Sequence, residues 1–454
     1  MHITIQLIAM SAAAPSPSPS PSPAPAPPSV PIAAVAADAG AGTGTGAVKP
    51  AVDAGACLTV DDFIITGIDD SYEVISDFNM MGLPDNLARG IYANGFQRPS
   101  KIQKVAILPM KQSRDILAQS QSGTGKTGAF VIGALSNVDM SVNAPQVLVI
   151  NPTRELAEQT QKNADAIGSF LGLKTMKAIG GTSVQQDIRD LQRGVHFVSG
   201  TPGRLFDLID RGALRLDNIR YLIFDEADQL LEEGFFAQIQ EILRTRMFPA
   251  TTHLAMFSAT MPEAVLELAE TFLNKPVRIL LRTEEISLKG IRQFYVGVDR
   301  EEWKFAALME LYKHLSIDQA IIFVNKRMKA EQLTRMMVDE GFPIQCIHGD
   351  MDPHERRRRL EEFRAGKVHV LIATDILARG IDVQTVSMVV NYEMSPSREN
   401  YFHRIGRCGR YGRKGVSINL LCGEGELGMQ RDIERHYEIT IPELEDPDQI
   451  RKFL

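Results

Sequence analysis

From Asp77 onward the chain alternates two kinds of stretch. Short apolar runs with no polar alternation, at 115–119, 147–151, 196–200, 221–225 and 253–258, predict strands buried on both faces. Between them lie amphipathic stretches such as 155–170, with apolar positions recurring at helical spacing. This βαβ rhythm predicts a parallel sheet covered by helices on both sides. After the run at 277–280, residues 281–290 mix charged and apolar positions without a clear period and read as a hinge. A second series follows at 320–325, 344–348, 369–374, 388–392 and 416–421. The expected fold class is therefore α/β, with two tandem parallel-sheet domains. The boundaries are 76–281 for the first domain, 282–291 for a linker and 292–454 for the second domain.

Residues 1–75 break this rhythm. Residues 11–50 alternate Ser-Pro and Ala-Pro and then become Gly/Ala/Thr-rich, too poor in apolar surface to offset the entropy of ordering. Residues 51–76 carry Asp61, Asp62, Asp69, Asp70 and Glu73 among short apolar pieces, an acidic arm of no evident role. Both are assigned to a disordered N-terminal extension. The first ten residues, MHITIQLIAM, lack the basic start of a secretory signal, and Met10 offers an alternative start.

Composition narrows the field. A net charge of −7 excludes a uniformly basic nucleic-acid coat, so any nucleic-acid contact must be local. Four widely spaced cysteines form no CxxC pair and fit a reducing compartment. An intracellular place, the cytoplasm ahead of the nucleus, is expected. No apolar run approaches a membrane span, so no membrane partner is expected.

Two stretches carry the chemistry. In YLIFDEAD (221–228) a buried strand ends abruptly in carboxylates, at the edge where open α/β sheets bind ligands. In SQSGTGKT (120–127), directly after a strand, glycines let backbone N–H groups approach phosphate oxygens. Lys126 can reach the terminal phosphates, and the Thr127 hydroxyl is placed to ligate Mg²⁺. Ser120 stands where the general pattern has Gly. A metal-nucleotide site needs both halves, and only the first half of the chain carries a phosphate loop. The second sheet therefore suggests a composite site closed between domains.

These stretches resemble motifs I and II of the DEAD-box RNA helicases, most closely the translation initiation factor 4A branch with its exon-junction relative. The likeness spans about residues 77–437. It implies two RecA-like domains that close around ATP, Mg²⁺ and single-stranded RNA, bound through its backbone without strong sequence preference. A scaffold protein that orients the domains is implied as a further partner. By resemblance, Asp225 holds Mg²⁺ through water, Glu226 orients and deprotonates the attacking water, and Asp228 bonds across to the second domain. GFQRPSKIQ (95–103) resembles the Q motif: Gln103 would match the adenine edge, Phe96 would stack on it and Arg98 would assist. Gly123, Thr124, Gly125 and Gly128 complete the phosphate loop.

Pro152, Thr153, Arg154, Gly181, Thr201, Gly203 and Arg204 resemble the first domain's RNA-backbone motifs, and Gln332, Arg335 and Thr374 those of the second. Asp382 is implied at the ribose. Arg407 and Arg410 resemble arginine fingers on the transferring phosphate. The run Arg356–Arg359, which has the look of a nuclear-localisation or nucleic-acid patch, is followed by Leu360, Glu361, Glu362 and Phe363 and reads instead as a charged helix face with internal pairs. The function implied is an RNA-stimulated ATP hydrolase that locally unwinds RNA in translation initiation. The alternative is an ATP-gated RNA clamp of the exon-junction kind.

Overall fold

The computed structural model describes residues 56–69, 72–121, 123–232, 234–245, 248–282, 290–314, 319–377, 386–409, 414–446 and 448–451. The Pro-rich tail, most of the expected hinge, Asp382 and Arg410 lie outside the described residues.

The first sheet has nine strands: β1 (Ala56–Val60), β2 (Phe63–Ile68), β3 (Ile116–Gln119), β4 (Val147–Ile150), β5 (Thr175–Ala178), β6 (Phe197–Gly200), β7 (Tyr221–Asp225), β8 (His253–Ser258) and β9 (Val277–Leu281). Their order is β1-β2-β9-β3-β8-β7-β4-β6-β5, with β1, β2 and β9 paired antiparallel and the rest parallel. The second sheet holds β10 (Ile291–Val298), β11 (Ala320–Phe323), β12 (Ile344–Ile347), β13 (Val370–Ala373), β14 (Met388–Asn391) and β15 (Gly415–Cys422). Its order is β10-β15-β14-β11-β13-β12, all parallel.

The apolar runs are unbroken because each strand feeds two cores. Ile116, Ala118, Val149, Ile223 and Phe257 pack with Ile102, Val105 and Phe130 on one face. Their neighbours Leu117, Leu148, Leu222, Phe224 and Met256 pack with Leu205, Leu230 and Val265 on the other. The second sheet repeats the arrangement, with Ile322, Ile372 and Val390 on one face and Ile321, Leu371 and Val389 on the opposite one. Water is excluded from both sides of these central strands, so they show no period-two alternation, whereas the edge strand β5 buries alternate residues.

Seven helices matter for the site. They are α1 (Asp85–Ala93), α2 (Lys101–Lys111), α3 (Lys126–Leu135), α4 (Arg154–Ile167), α5 (Val184–Gln192), α6 (Pro202–Asp210) and α7 (Ala227–Glu232). Ser100 and Gln103 occupy the capping-box positions at the start of α2, with Gln103 Oε1 accepting from the Ser100 N–H at 2.9 Å, and the Thr153 hydroxyl accepts from the Leu156 N–H to cap α4. In the second domain, α8 (Arg327–Asp339), α9 (Pro353–Arg364) and α10 (Arg398–Ile405) carry the residues of interest.

The sequence reading needs correction at the N-terminal end. Residues 56–68, expected within a disordered acidic extension, form a β-hairpin that adds two strands beside β9. Phe63, Ile65 and Ile68 are buried in the first core, which supplies the apolar surface a disordered segment would lack. The second sheet begins at Ile291, inside the segment assigned as linker.

Candidate active site

The phosphate loop leaves β3 and enters α3, while β7 ends in Asp225; β8 lies between them, so both halves converge at the carboxyl edge. The loop is pinned at its base by the Ser120 N–H, which donates to the Ser258 carbonyl at 2.9 Å. Ser120 Oγ lies 2.6 Å from Thr124 Oγ1, which donates to the Gln121 carbonyl at 2.7 Å. The serine departing from the general pattern thus closes the turn with its own hydroxyl. Gly125 has φ +100°, and a Cβ there would sit 2.8 Å from Gln103 Nε2 and 2.9 Å from Ser100 Oγ. Both backbone and space require glycine at that position.

Lys126 opens α3 with its side chain 5% exposed, and its Nζ donates to Glu226 Oε2 at 3.3 Å. Glu226 has φ +49°, a conformation costly for a side-chain-bearing residue, and its N–H donates to Asp225 Oδ1 at 3.1 Å. Burial first, and then Glu226 alongside, push Asp225 up to about 7. For Glu226 burial acts upward too, yet Lys126 and His403 outweigh it and hold the carboxyl below its ordinary range.

Asp228 ties the domains together. Its Oδ2 accepts from Thr260 Oγ1 at 2.6 Å and lies 3.0 Å from His403 Nε2 on α10. The sequence placed Asp228 in such a cross-domain bond without naming its partner. Four residues on, buried Arg407 donates from Nε to the His403 carbonyl at 3.1 Å.

A cavity of about 680 Å³ unites these groups. It is lined by Phe96, Gly123, Gly125, Lys126, Thr127, Gly128, Asp225 and Glu226, by Arg154 and Gly181, and by Arg407 from the second domain. Gln103 is buried behind it: its Oε1 accepts from the Ser100 N–H at 2.9 Å and its Nε2 donates to the Gly125 carbonyl at 3.1 Å. Each end of the amide retains one further bonding position. Arg98 is exposed and does not line the cavity.

The RNA candidates are less unified. Arg154 packs against Gly180 and Gly181, where an added Cβ would lie 3.2 Å and 3.0 Å from its guanidinium. Pro152 is buried ahead of α4. Thr201 occupies the N-cap position of α6 without a side-chain capping bond, and beside it Gly203 has open space around its Cα. Arg204 pairs with Asp187 and donates to the Thr182 carbonyl at 2.8 Å. Gln332 and Arg335 are exposed on α8, and Thr374 follows β13.

The four-arginine run divides in two, which corrects the sequence reading. Arg358 and Arg359 pair with Glu355 on their own helix, as a charged face would. Arg356 instead crosses to Glu155 on α4, with Nε at 2.7 Å and Nη2 at 2.6 Å from Oε1, and Arg357 reaches Glu158 at 3.1 Å. A signal was available: Arg356, Leu360 and Phe363 share the buried stripe of α9. An arginine on an apolar stripe must find a partner off its own helix.

Comparison with known proteins agrees with this geometry. Residues 100–268 match the DEAD/DEAH box helicase family and residues 303–412 the helicase conserved C-terminal domain. Eukaryotic initiation factor 4A of Cryptosporidium parvum is 50% identical over 372 residues, covering 82% of this chain and 91% of that protein. The ATP-dependent RNA helicase eIF4A of Neosartorya fischeri is 48% identical over 378 residues, covering 83% and 94%. Saccharomyces cerevisiae Dbp5 bound to RNA and ADP BeF3 superposes with a TM-score of 0.77 at 36% identity, covering 83% of this chain and 98% of that one. A point variant of Dbp5 from the same yeast, bound to Nup159, a point variant of Gle1, IP6 and ADP, at 34% identity over 82% of this chain and 98% of that one, gives 0.58. The fold and cleft define a two-domain, nucleotide-binding helicase. The chain belongs to the DEAD-box ATP-dependent RNA helicases, in the branch of initiation factor 4A.

Proposed function

We propose that this helicase acts in translation initiation, closing its two domains on ATP and single-stranded RNA and opening them after hydrolysis. The carrying observation is the shared cavity, which Lys126 and Glu226 enter from one domain and Arg407 from the other. The better fit to the RNA-bound Dbp5 arrangement supports reading the described state as the closed one. The initiation-factor relatives favour a cycling helicase over an exon-junction-type clamp, and a cytoplasmic place.

Lys126 would hold the terminal phosphates, with Gly123, Thr124, Gly125 and Gly128 shaping the loop around them. The site fits Mg²⁺. Asp225 and Thr127 offer hard oxygen donors and line the same cavity as Lys126. When bound, Mg²⁺ neutralises charge on the phosphates. Glu226 would accept the proton of the attacking water, its orientation fixed by Lys126 and by its own backbone. Arg407 and Arg410 would stabilise charge on the departing phosphoryl group, with Asp382 on the ribose.

Thr153, Arg154, Gly181, Thr201, Gly203 and Arg204, with Gln332, Arg335 and Thr374, would contact RNA through its backbone, which gives little sequence preference. A scaffold protein that orients the domains remains part of this proposal.

RNA-stimulated ATP turnover, measured beside ATP-dependent retention of a single-stranded RNA, tests the reading. Rapid turnover with brief retention is expected; slow turnover with long retention would assign the clamp. Glu226→Gln should lower turnover by about 10²–10⁴-fold while ATP and RNA binding persist. Equal losses of binding and turnover would make Glu226 structural. Gln103→Ala should erode preference for ATP over GTP. It should also raise KM for both nucleotides, because the same amide holds Gly125 in place. Unchanged selectivity would move adenine recognition to other groups.

A further inference from the structure

The hairpin at residues 56–68 is placed to influence the nucleotide site from behind. Its two-residue turn, Asp61–Asp62, lies against the first turn of α2. Asp62 Oδ2 is 2.6 Å from Lys101 Nζ, and Asp61 Oδ2 is 3.6 Å from Lys104 Nζ. Lysines at a helix N-terminus oppose the helix dipole, and the two aspartates offset that cost. The Asp62 carbonyl also accepts from the Arg282 N–H at 2.9 Å, where the first sheet ends.

The hairpin has its own anchorage, independent of these charges. Phe63, Ile65 and Ile68 enter the core, and Phe63 to Thr66 pair in register with Leu281 to Arg278. At Gly67 (φ +74°) the backbone comes so close to β9 that a Cβ would fall 2.3 Å from the Pro276 carbonyl oxygen. Arg114 Nη2 donates to the Gly67 carbonyl at 2.8 Å. Further along, Tyr72 OH donates to the Val105 carbonyl of α2 at 2.7 Å. The carboxylates are therefore held in place before they meet the lysines, which lowers the entropy of pairing.

We propose that Asp61 and Asp62 are positioning residues for nucleotide binding, acting through Lys101 and Lys104 on α2 and from there through Gln103 on Gly125. The chain of contacts is short. Lys101 follows Ser100 and Lys104 follows Gln103, the two members of the capping box, and Gln103 Nε2 donates directly to the phosphate loop. Fixing the first turn of α2 fixes the amide that shapes the loop. The inference rests on reading the cavity as the ATP site.

The test compares the full-length chain with Asp61→Asn/Asp62→Asn. In low salt, KM for ATP should rise about three- to tenfold, kcat under saturating ATP and RNA should stay unchanged, and the thermal midpoint should move little. The difference should shrink in high salt as the wild-type pairs are screened. Exchanging the charges, with Asp61→Lys/Asp62→Lys against Lys101→Asp/Lys104→Asp, should restore KM. Gly67→Val, which forces the hairpin off β9, should raise KM further. An unchanged KM in the asparagine variant would overturn the proposal. So would a joint fall in kcat and thermal midpoint that charge exchange does not repair, which would mark a purely structural role. Failure of the wild-type chain to bind ATP would overturn the site reading as well, and is distinguished by that control.

Discussion

Lys126→Ala is expected to abolish ATP binding and turnover while both sheets stay folded. The ammonium is almost fully desolvated and sits 3.3 Å from Glu226, both in the lining of the cavity. Each charge-assisted bond it would make to a phosphate oxygen contributes about 1.5–3 kcal/mol, roughly one to two decades in binding. Losing contacts to two phosphates should reduce turnover by at least ~10²–10³-fold. The fold should survive, because Lys126 lies outside the apolar cores and the stranded Glu226 can take up a proton instead of remaining a buried anion. Equilibrium binding of a fluorescent ATP analogue, RNA-stimulated turnover and circular dichroism check the three parts. Near-normal turnover in a folded variant would remove the loop from the site.

Much of this cleft was legible because its chemistry is contiguous in sequence. The loop 120–127 and the strand-end acids 225–228 are each a few residues long, and the buried strands carrying them announce themselves as unbroken apolar runs. What escaped notice was distributed or disguised. The hairpin reads LTV-DD-FIITGI, two β-prone runs around a two-residue turn, but its aspartates gave it the look of an acidic tail. The edge strand Thr175–Ala178 buries only alternate residues in four positions, too short for a period to show.

Pairings across the cleft were the least accessible. Nothing in the local sequence joins Glu155 to Arg356 or Asp228 to His403, because each pair depends on how the domains meet. Gln103 shows a different gap. Its resemblance-based role concerned a ligand, whereas Ser100-x-x-Gln103 is also a capping box written in the sequence, and the structure uses the amide for that.

Arg407→Ala should lower turnover by about 10³–10⁵-fold, the range of arginine fingers in other phosphoryl-transfer enzymes, with only a modest change in ATP affinity. The asymmetry follows from where the residue sits. Arg407 comes from the second domain, just past α10, and lines the same cavity as Lys126 and Glu226. On the proposed reading, ground-state binding would rest mainly on the first domain's loop. A cation from across the cleft gains most when charge redistributes during transfer. Arg407→Lys should recover little, since an ammonium lacks the planar fork of the guanidinium. A competing explanation is that Arg407 only braces the closed state, because its Nε bonds the carbonyl of His403, which in turn meets Asp228. Asp228→Ala separates the two by cutting the cross-domain bond and sparing the guanidinium. If Arg407 acts on the reacting phosphate, its loss should exceed that of Asp228→Ala at saturating ATP and RNA, and the double variant should be worse than either. If the two single variants lose equal turnover and the double variant loses no more, Arg407 serves closure alone, and charge stabilisation must come from another residue.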